Sequence, residues 1–264
     1  TNDDVLWGSG HNQRGQLGIN SKTAKIKTFQ QIATNVKSIS DHNMTYSLYV
    51  IKNNNELWVA GENYYKQLGT TITEPANYST GQALLKKVLD DVVAIYENPY
   101  SSVSVSISLA IRSNGDAYVT GRSDSGVLGK GSGKKTISTY TFLKSNIVKS
   151  YEGSDQGFIL DGDDNLYLAG RNSFYSLGNS TSTNYQYTYK LALPNVKEYH
   201  RLYLVSYLLT NNNELYIAGT KSSGTTPATG ILSKLDAVDD PSYNIKRFEK
   251  RFDNVRSITP SKTH

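Results

Sequence analysis

A short pattern recurs along this chain at intervals near fifty residues. Each copy is an apolar run that contains an aromatic residue and ends in glycine. The copies end at Gly10, Gly61, Gly121, Gly170 and Gly219, which are 51, 60, 49 and 49 residues apart. Such a period marks repeat architectures, in which each unit buries its faces against its neighbours. The 264 residues are therefore predicted to form one domain, 1–264, built from about five small units rather than one large core.

Two further columns flank the repeat glycine. Three positions before it stands an aromatic residue: Trp7, Trp58, Tyr118, Tyr167 or Tyr216. Seven and eight positions after it, four copies carry Leu-Gly: Leu17-Gly18, Leu68-Gly69, Leu128-Gly129 and Leu177-Gly178. The fifth copy has Thr226-Pro227 there instead. An aromatic residue at one fixed strand position is suited to packing a broad ring against a neighbouring sheet.

The spacing of turns and apolar runs predicts strands. Before the aromatic column lies an Asn-, Asp- or Gly-rich turn, such as Asn53–Glu56 or Asn211–Glu214, and before each turn lies an alternating apolar run. These residues tolerate positive φ and favour hairpins. Each period thus carries three to four antiparallel strands, which predicts an all-β β-propeller of about five blades. Only residues 81–91 hint at a helical turn.

The two ends of the chain carry complementary parts of a repeat. Val255–Ile258 matches the first strand of a further unit, whereas residue 1 begins at the turn before a third strand. We therefore expect one blade to be shared between the N- and C-termini, which would remove the open sheet edges. The same arithmetic permits a longer array cut at equivalent points.

Residues 6–18, which read LWGSGHNQRGQLG, and residues 57–69, which read LWVAGENYYKQLG, resemble the signature of the regulator of chromosome condensation repeat family. The resemblance implies a propeller with about fifty residues per blade, usually of seven blades. Members of that family include exchange factors for a GTPase, ubiquitin-ligase subunits, photoreceptors and an inhibitor of β-lactamases. Most hold another protein on a disc face, and the resemblance implies such a role here.

Motifs that could carry chemistry are incomplete. The four histidines, His11, His42, His200 and His264, have no metal-binding spacing, and cysteine is absent. Residues 129–136 lack the first glycine and the Ser or Thr of a phosphate loop, and residues 161–172 lack the glycine and glutamate of a calcium loop. We therefore predict no catalytic residue, no metal, no cofactor and no enzyme activity.

The candidate binding residues are aromatic. They lie in two post-glycine loops and in one inter-repeat segment with alternate tyrosines: Tyr64, Tyr65, Phe174, Tyr175, Tyr185, Tyr187 and Tyr189. Tyrosine offers a large contact area at low entropic cost. The alternative is that these rings pack between blades or on an outer strand.

Charge and hydropathy bound the partners. The net charge is +5, from 28 basic and 23 acidic residues, which permits nucleic acid without indicating it. The basic and aromatic run 243–252 is best explained as a connector, and no apolar run reaches the roughly 20 residues that span a bilayer. We expect a protein-binding module with an adhesive, inhibitory or scaffold role, secreted or at a cell surface. The alternatives are a cytoplasmic exchange factor or ubiquitin-pathway scaffold, and a glycan-binding propeller.

Overall fold

The computed structural model describes residues 3–21, 23–40, 46–70, 81–97, 105–131, 133, 135–152, 155–181, 183–202, 205–220 and 244–259. These residues form eighteen strands and no helix, so they contain no helix that could span a membrane. The strands make four sheets of four strands and one sheet of two. Within every sheet, neighbouring strands are antiparallel and follow one another in chain order.

The four-stranded sheets are called blades I to IV. Blade I contains β3 (Val36–Ile39), β4 (Ser47–Lys52), β5 (Leu57–Glu62) and β6 (Gly81–Leu89). Blade II contains β7 (Val92–Glu97), β8 (Val105–Arg112), β9 (Ala117–Ser123) and β10 (Lys135–Lys144). Blade III contains β11 (Ile147–Glu152), β12 (Gln156–Asp161), β13 (Leu166–Arg171) and β14 (Tyr185–Leu193). Blade IV contains β15 (Val196–Leu202), β16 (Val205–Thr210), β17 (Leu215–Thr220) and β18 (Asn244–Phe252). The N-terminal sheet contains β1 (Leu6–His11) and β2 (Lys25–Ala33).

The helical turn expected within residues 81–91 is not formed. Residues 81–89 are β6, which pairs along its length with β5, from Glu62 opposite Gly81 to Leu57 opposite Leu89. A local helical pattern is a weak preference, and pairing in a sheet overrides it. Blades I to IV therefore each have a fourth, outer strand. The sequence pattern predicts three to four strands per blade, and these blades have four.

The hydrophobic core lies between the blades. One buried cluster joins Tyr49 and Leu57 of blade I to Val92 and Ala110 of blade II. Equivalent clusters join blade II to blade III and blade III to blade IV. Each blade is therefore stabilised mainly by its neighbours, as expected of a repeat array.

One backbone hydrogen bond recurs at every junction between successive units. The first residue of each new unit donates its N–H to a carbonyl in the turn of the unit before it. The bonds are Val36 N to Asp4 O (2.9 Å), Val92 N to Asn55 O (2.7 Å), Ile147 N to Gly115 O (2.8 Å), Val196 N to Asp164 O (2.8 Å) and Val255 N to Asn213 O (2.9 Å). All five acceptor residues have a left-handed backbone, with φ between 57° and 82°. Because Asn, Asp and Gly tolerate this conformation best, the predicted turns are confirmed.

The predicted blade shared between the termini is not formed by the described residues. There, β1 pairs with β2 alone, and Val255 and Ile258 pack against the Val205 cluster of blade IV.

Candidate protein-binding face

In the N-terminal sheet and in blades I to III, the loop after the repeat glycine is held by one buried polar side chain. Asn12, Asn63 and Asn172 each accept a hydrogen bond from the N–H of the loop leucine, Leu17, Leu68 or Leu177, at 2.9 to 3.1 Å. In blade II, Ser123 replaces asparagine, and its hydroxyl accepts from the N–H groups of Gly126 and Val127 at 3.0 Å. The asparagine of the repeat signature is thus a structural residue.

The repeat glycine is required by the neighbouring strand. Gly61, Gly121 and Gly170 have φ between 101° and 108°, and a Cβ on any of them would collide with a carbonyl oxygen of the adjacent strand. Only glycine fits such a position without strain.

The Leu-Gly pair forms the seat for the next blade. A side chain from the outer strand of the following blade lies directly on the glycine: Leu85 on Gly18, Tyr140 on Gly69, Tyr189 on Gly129 and Phe248 on Gly178. Each of these side chains stands six residues before the left-handed residue that ends its blade, which is Asp91, Asn146, Asn195 or Asn254. The Leu-Gly column therefore serves packing between blades.

A hydroxyl completes three of these junctions. Ser108 donates to the carbonyl of Gln67 at 2.7 Å, and Ser206 donates to the carbonyl of Ser176 at 2.6 Å. Blade III has Gly157 at this position, and the hydroxyl of Tyr189 takes the free space and donates to the carbonyl of Val127 at 3.1 Å. At these three junctions the Leu-Gly column and a hydroxyl dock one blade on the next, whereas the signature asparagine and the repeat glycine shape the loop and the strand pair within one unit.

Two of the candidate binding tyrosines are packing residues. Tyr65 is only 5% exposed, and the guanidinium of Arg122 from the next blade lies 5.6 Å from its ring centre. Tyr189 fills the junction between blades II and III, as described above. Tyr65 therefore offers a partner little surface, whereas Tyr189 is half-buried with its hydroxyl committed to the junction.

The remaining candidates keep part of their surface. Tyr64, Phe174, Tyr175 and Tyr187 are half-buried, and Tyr185 is 38% exposed. The rings of Tyr185 and Tyr187 stack with centroids 6.0 Å apart. Tyr187 also packs against Gly126 of blade II, so the outer-strand alternative accounts for part of this segment.

Tyr175 has a backbone that tyrosine rarely adopts. Its φ is 58°, and the equivalent loop positions are Gly15, Lys66 and Gly126, all with positive φ. The ammonium of Lys246 lies 5.4 Å from the centre of the Tyr175 ring. A bulky residue in a left-handed conformation that glycine would occupy at lower cost directs attention to function.

Sequence reasoning missed the cations that accompany these rings. Arg14 lies 5.7 Å from the ring centre of Tyr46, which is 47% exposed and comes from the loop between β3 and β4. Arg122 pairs with Asp124 at 3.2 Å, and Arg171 pairs with Asp155 at 3.6 Å. Arginine and tyrosine are enriched where protein interfaces bind most strongly. The loops that follow the repeat glycines carry both residue types. We call the end of the sheets where these loops lie, after Gly10, Gly61, Gly121 and Gly170, the loop face.

One carboxyl group on the loop face is buried. Burial raises the pKa of Glu62 above its ordinary value of 4.5, although the positive charge of Arg14 acts in the opposite direction. Among the described residues, no group of three His, Asp or Glu side chains could hold a metal ion.

A cavity of about 400 Å³ opens between blades III and IV. It is lined by the start of β12, by most of β15 and by Lys149. Gln156, which lines it, donates from its Nε2 to the hydroxyl of Ser176, the residue that follows Tyr175. The cavity and the Tyr175 loop are thus connected by one hydrogen bond.

Three solved structures of RCC1-repeat β-propellers match 95% of this chain. Human WBSCR16 matches with a TM-score of 0.65 at 17% identity. Yeast RCC1 (Prp20) matches with a TM-score of 0.61 as bound to Kap60 and 0.62 in the structure of Prp20p from Saccharomyces cerevisiae, both at 17% identity. The chain has the fold of the RCC1-repeat propellers.

The likeness to RCC1-repeat propellers confirms the predicted resemblance and the all-β propeller fold. The chain spans 57 to 62% of the length of these three structures. No protein-family model and no curated protein sequence matches it. Of the RCC1-type structures, one shows Prp20 bound to Kap60, and another is described with the binding of Prp20p to Gsp1p and histones.

Proposed function

We propose that this chain is a protein-binding propeller that holds its partner on the loop face, around the Phe174-Tyr175 loop of blade III. The observation that carries the proposal is the left-handed backbone of Tyr175 beneath Lys246. Phe174 and Tyr175 supply aromatic area, Lys246 adds a positive charge over the Tyr175 ring, and Arg171 donates to Ser173 of the same loop. The RCC1-type structures, in which Prp20 binds other proteins, support the same kind of role.

Tyr175→Gly tests the proposal because the substitution should change partner binding far more than protein stability. Glycine suits φ of 58°, and the strain it relieves offsets the lost ring contacts and the added freedom of the unfolded chain, so the variant should fold with a stability close to the parent's while the ring that would touch the partner is lost. Lys66→Gly is the matched control, because it makes the same backbone change at the equivalent position of blade I. Affinity capture from the native environment should retain a protein on the parent and on Lys66→Gly, and lose it on Tyr175→Gly.

Equal capture by all three proteins would contradict the proposal. Nucleotide exchange, an adhesive or inhibitory role, glycan binding and a secreted or surface location stay predictions. Release of a fluorescent GDP analogue from a Ran-type GTPase would test the exchange alternative directly.

A further inference from the structure

The cavity between blades III and IV has an apolar floor. The rings of Phe158 and Tyr199 meet edge to face with centroids 4.6 Å apart, and Leu160, Leu166 and Val196 surround them. A volume of about 400 Å³ lies within the range of about 300–1,000 Å³ that is usual for ligand pockets. The floor can therefore accept one aromatic or branched aliphatic side chain.

Two buried polar atoms of the lining residues have no hydrogen-bond partner within the described parts of the chain. They are Nε of Arg201, which is a donor, and Oε1 of Gln156, which is an acceptor. Gln156 is only 3% exposed, so water reaches it poorly. Buried polar groups are satisfied in the great majority of cases, and exceptions call for an explanation. A peptide group supplies one carbonyl acceptor and one N–H donor, which are the two groups that Arg201 and Gln156 lack.

The rim of the cavity is basic. Lys149, Lys197 and Arg201 line it, against the single carboxylate of Glu198. Arg201 also pairs with Asp155 at 2.6 Å, but Asp155 is shared with Arg171. The surplus of positive charge is complementary to carboxylates on a ligand.

The polar lining is not a by-product of the repeat. Gln156 faces the repeat glycine Gly170, and the residues that face the other repeat glycines are Ser47, Ile107 and Val205. Lys149 aligns with Ser38 of blade I and Ala94 of blade II. These side chains are therefore specific to the junction of blades III and IV.

We propose that this cavity binds an extended peptide segment that carries an aromatic or aliphatic side chain flanked by carboxylates. The inference rests on the proposed protein-binding function and names the chemistry of the partner. The apolar side chain enters the floor, the peptide group pairs with Arg201 and Gln156, and the carboxylates lie at the basic rim.

Fluorescence polarisation of three labelled pentapeptides tests the proposal: Glu-Glu-Phe-Glu-Glu, Glu-Glu-Gly-Glu-Glu and Lys-Lys-Phe-Lys-Lys. Only the first should bind the parent protein. Arg201→Lys keeps the charge and removes the Nε donor, so the charged hydrogen bond to the peptide carbonyl is lost. Lys197→Glu reverses a rim charge, so the rim repels the carboxylates of the peptide. Each should weaken binding about tenfold or more. Lys37→Glu, at the position of blade I that corresponds to Lys197, should leave the affinity unchanged.

Equal binding of the three peptides, or binding of none up to about 1 mM, would overturn the proposal. Binding of the acidic peptide that neither substitution weakens would also overturn the proposal. Displacement of the bound acidic peptide by a neutral oligosaccharide would overturn it as well. The two hypotheses fail separately. If Tyr175→Gly abolishes capture of the partner while Arg201→Lys leaves peptide binding intact, the loop face stands and the cavity assignment fails; the reverse pattern supports the cavity and rejects the loop face.

Discussion

At the scale of single residues, the signature asparagines stabilise the loops that follow the repeat glycines. The loop asparagines are buried and bond to the backbone, so removing one leaves a buried N–H without a partner. Asn63→Ala should therefore lower the free energy of unfolding by about 1–3 kcal/mol. Asn54→Ala is the control, because Asn54 is exposed in the turn, where its side chain accepts a hydrogen bond from the N–H of Glu56. Denaturant unfolding measures both, and equal losses would contradict the structural role of Asn63.

Two glutamates should give opposite pH dependence. Burial raises the pKa of Glu62 in the folded state, so its contribution to stability is present below pH 4.5 and is lost as the pH rises through the folded pKa. Hydrogen bonds from Lys87 and Trp58 lower the pKa of Glu56 to about 2, so its contribution is present above pH 4.5 and is lost as the pH falls towards 2.

Unfolding of Glu62→Gln and Glu56→Gln between pH 2 and 8 measures this difference. The parent should lose stability relative to Glu62→Gln as the pH rises above 4.5, and lose it relative to Glu56→Gln as the pH falls below 4.5. If the stability difference between parent and variant changes with pH in the same direction for both glutamates, one of the two environments is misassigned.

At the scale of elements, the junction between blades decides which glycines matter. Gly129 and Gly131 both have positive φ, but a Cβ on Gly129 would collide with the ring of Tyr189, whereas nothing lies within 4 Å of a Cβ on Gly131. Both alanine variants incur the backbone strain of a left-handed residue, which costs about 1–2 kcal/mol. Gly129→Ala should lose a further 1–3 kcal/mol from overpacking. Equal losses of thermal stability in the two variants would argue against the packing of Tyr189 on Gly129.

The sequence predicted the elements better than the site. Turns, middle strands and the Leu-Gly column follow from residue types at fixed spacing, and these were right. The role of Tyr189 could not be predicted, because it depends on the missing side chain of Gly157, 32 residues earlier on another strand. Likewise the cavity is lined by strands of two different sheets, blades III and IV, so no local sequence pattern predicts it.

At the scale of the whole molecule, the N-terminal sheet differs from the blades because the aromatic residue on its outer strand is not covered. Phe29 stands six residues before left-handed Asn35, which is the position that Tyr140, Tyr189 and Phe248 occupy, but it is 69% exposed. Trp7 on β1 is also exposed, at 45%. In the described residues, this sheet has neither a preceding Leu-Gly loop nor a strand on the free edge of β1.

Phe29 should therefore tolerate a substitution that its equivalent does not. Phe29→Ser should leave the free energy of unfolding within about 0.5 kcal/mol of the parent and reduce self-association, because an exposed apolar ring is removed. Phe248→Ser should cost about 3–5 kcal/mol, because Phe248 packs on Gly178. Unfolding together with light scattering checks both, and a large loss from Phe29→Ser would mean that this ring is covered in solution.

The hydroxyls that complete the junctions all bond to backbone carbonyls, those of Gln67, Val127 and Ser176. The compensating pair Gly157 and Tyr189 lies entirely within blade III. Blades II to IV thus each carry their own docking hydroxyl, and a preceding blade can accept it provided that its loop keeps the Leu-Gly pair. A gene segment of about fifty codons that encodes this pair can accordingly be duplicated, deleted or moved with few matched changes in its neighbours, which gives this architecture a direct route to lengthening during evolution.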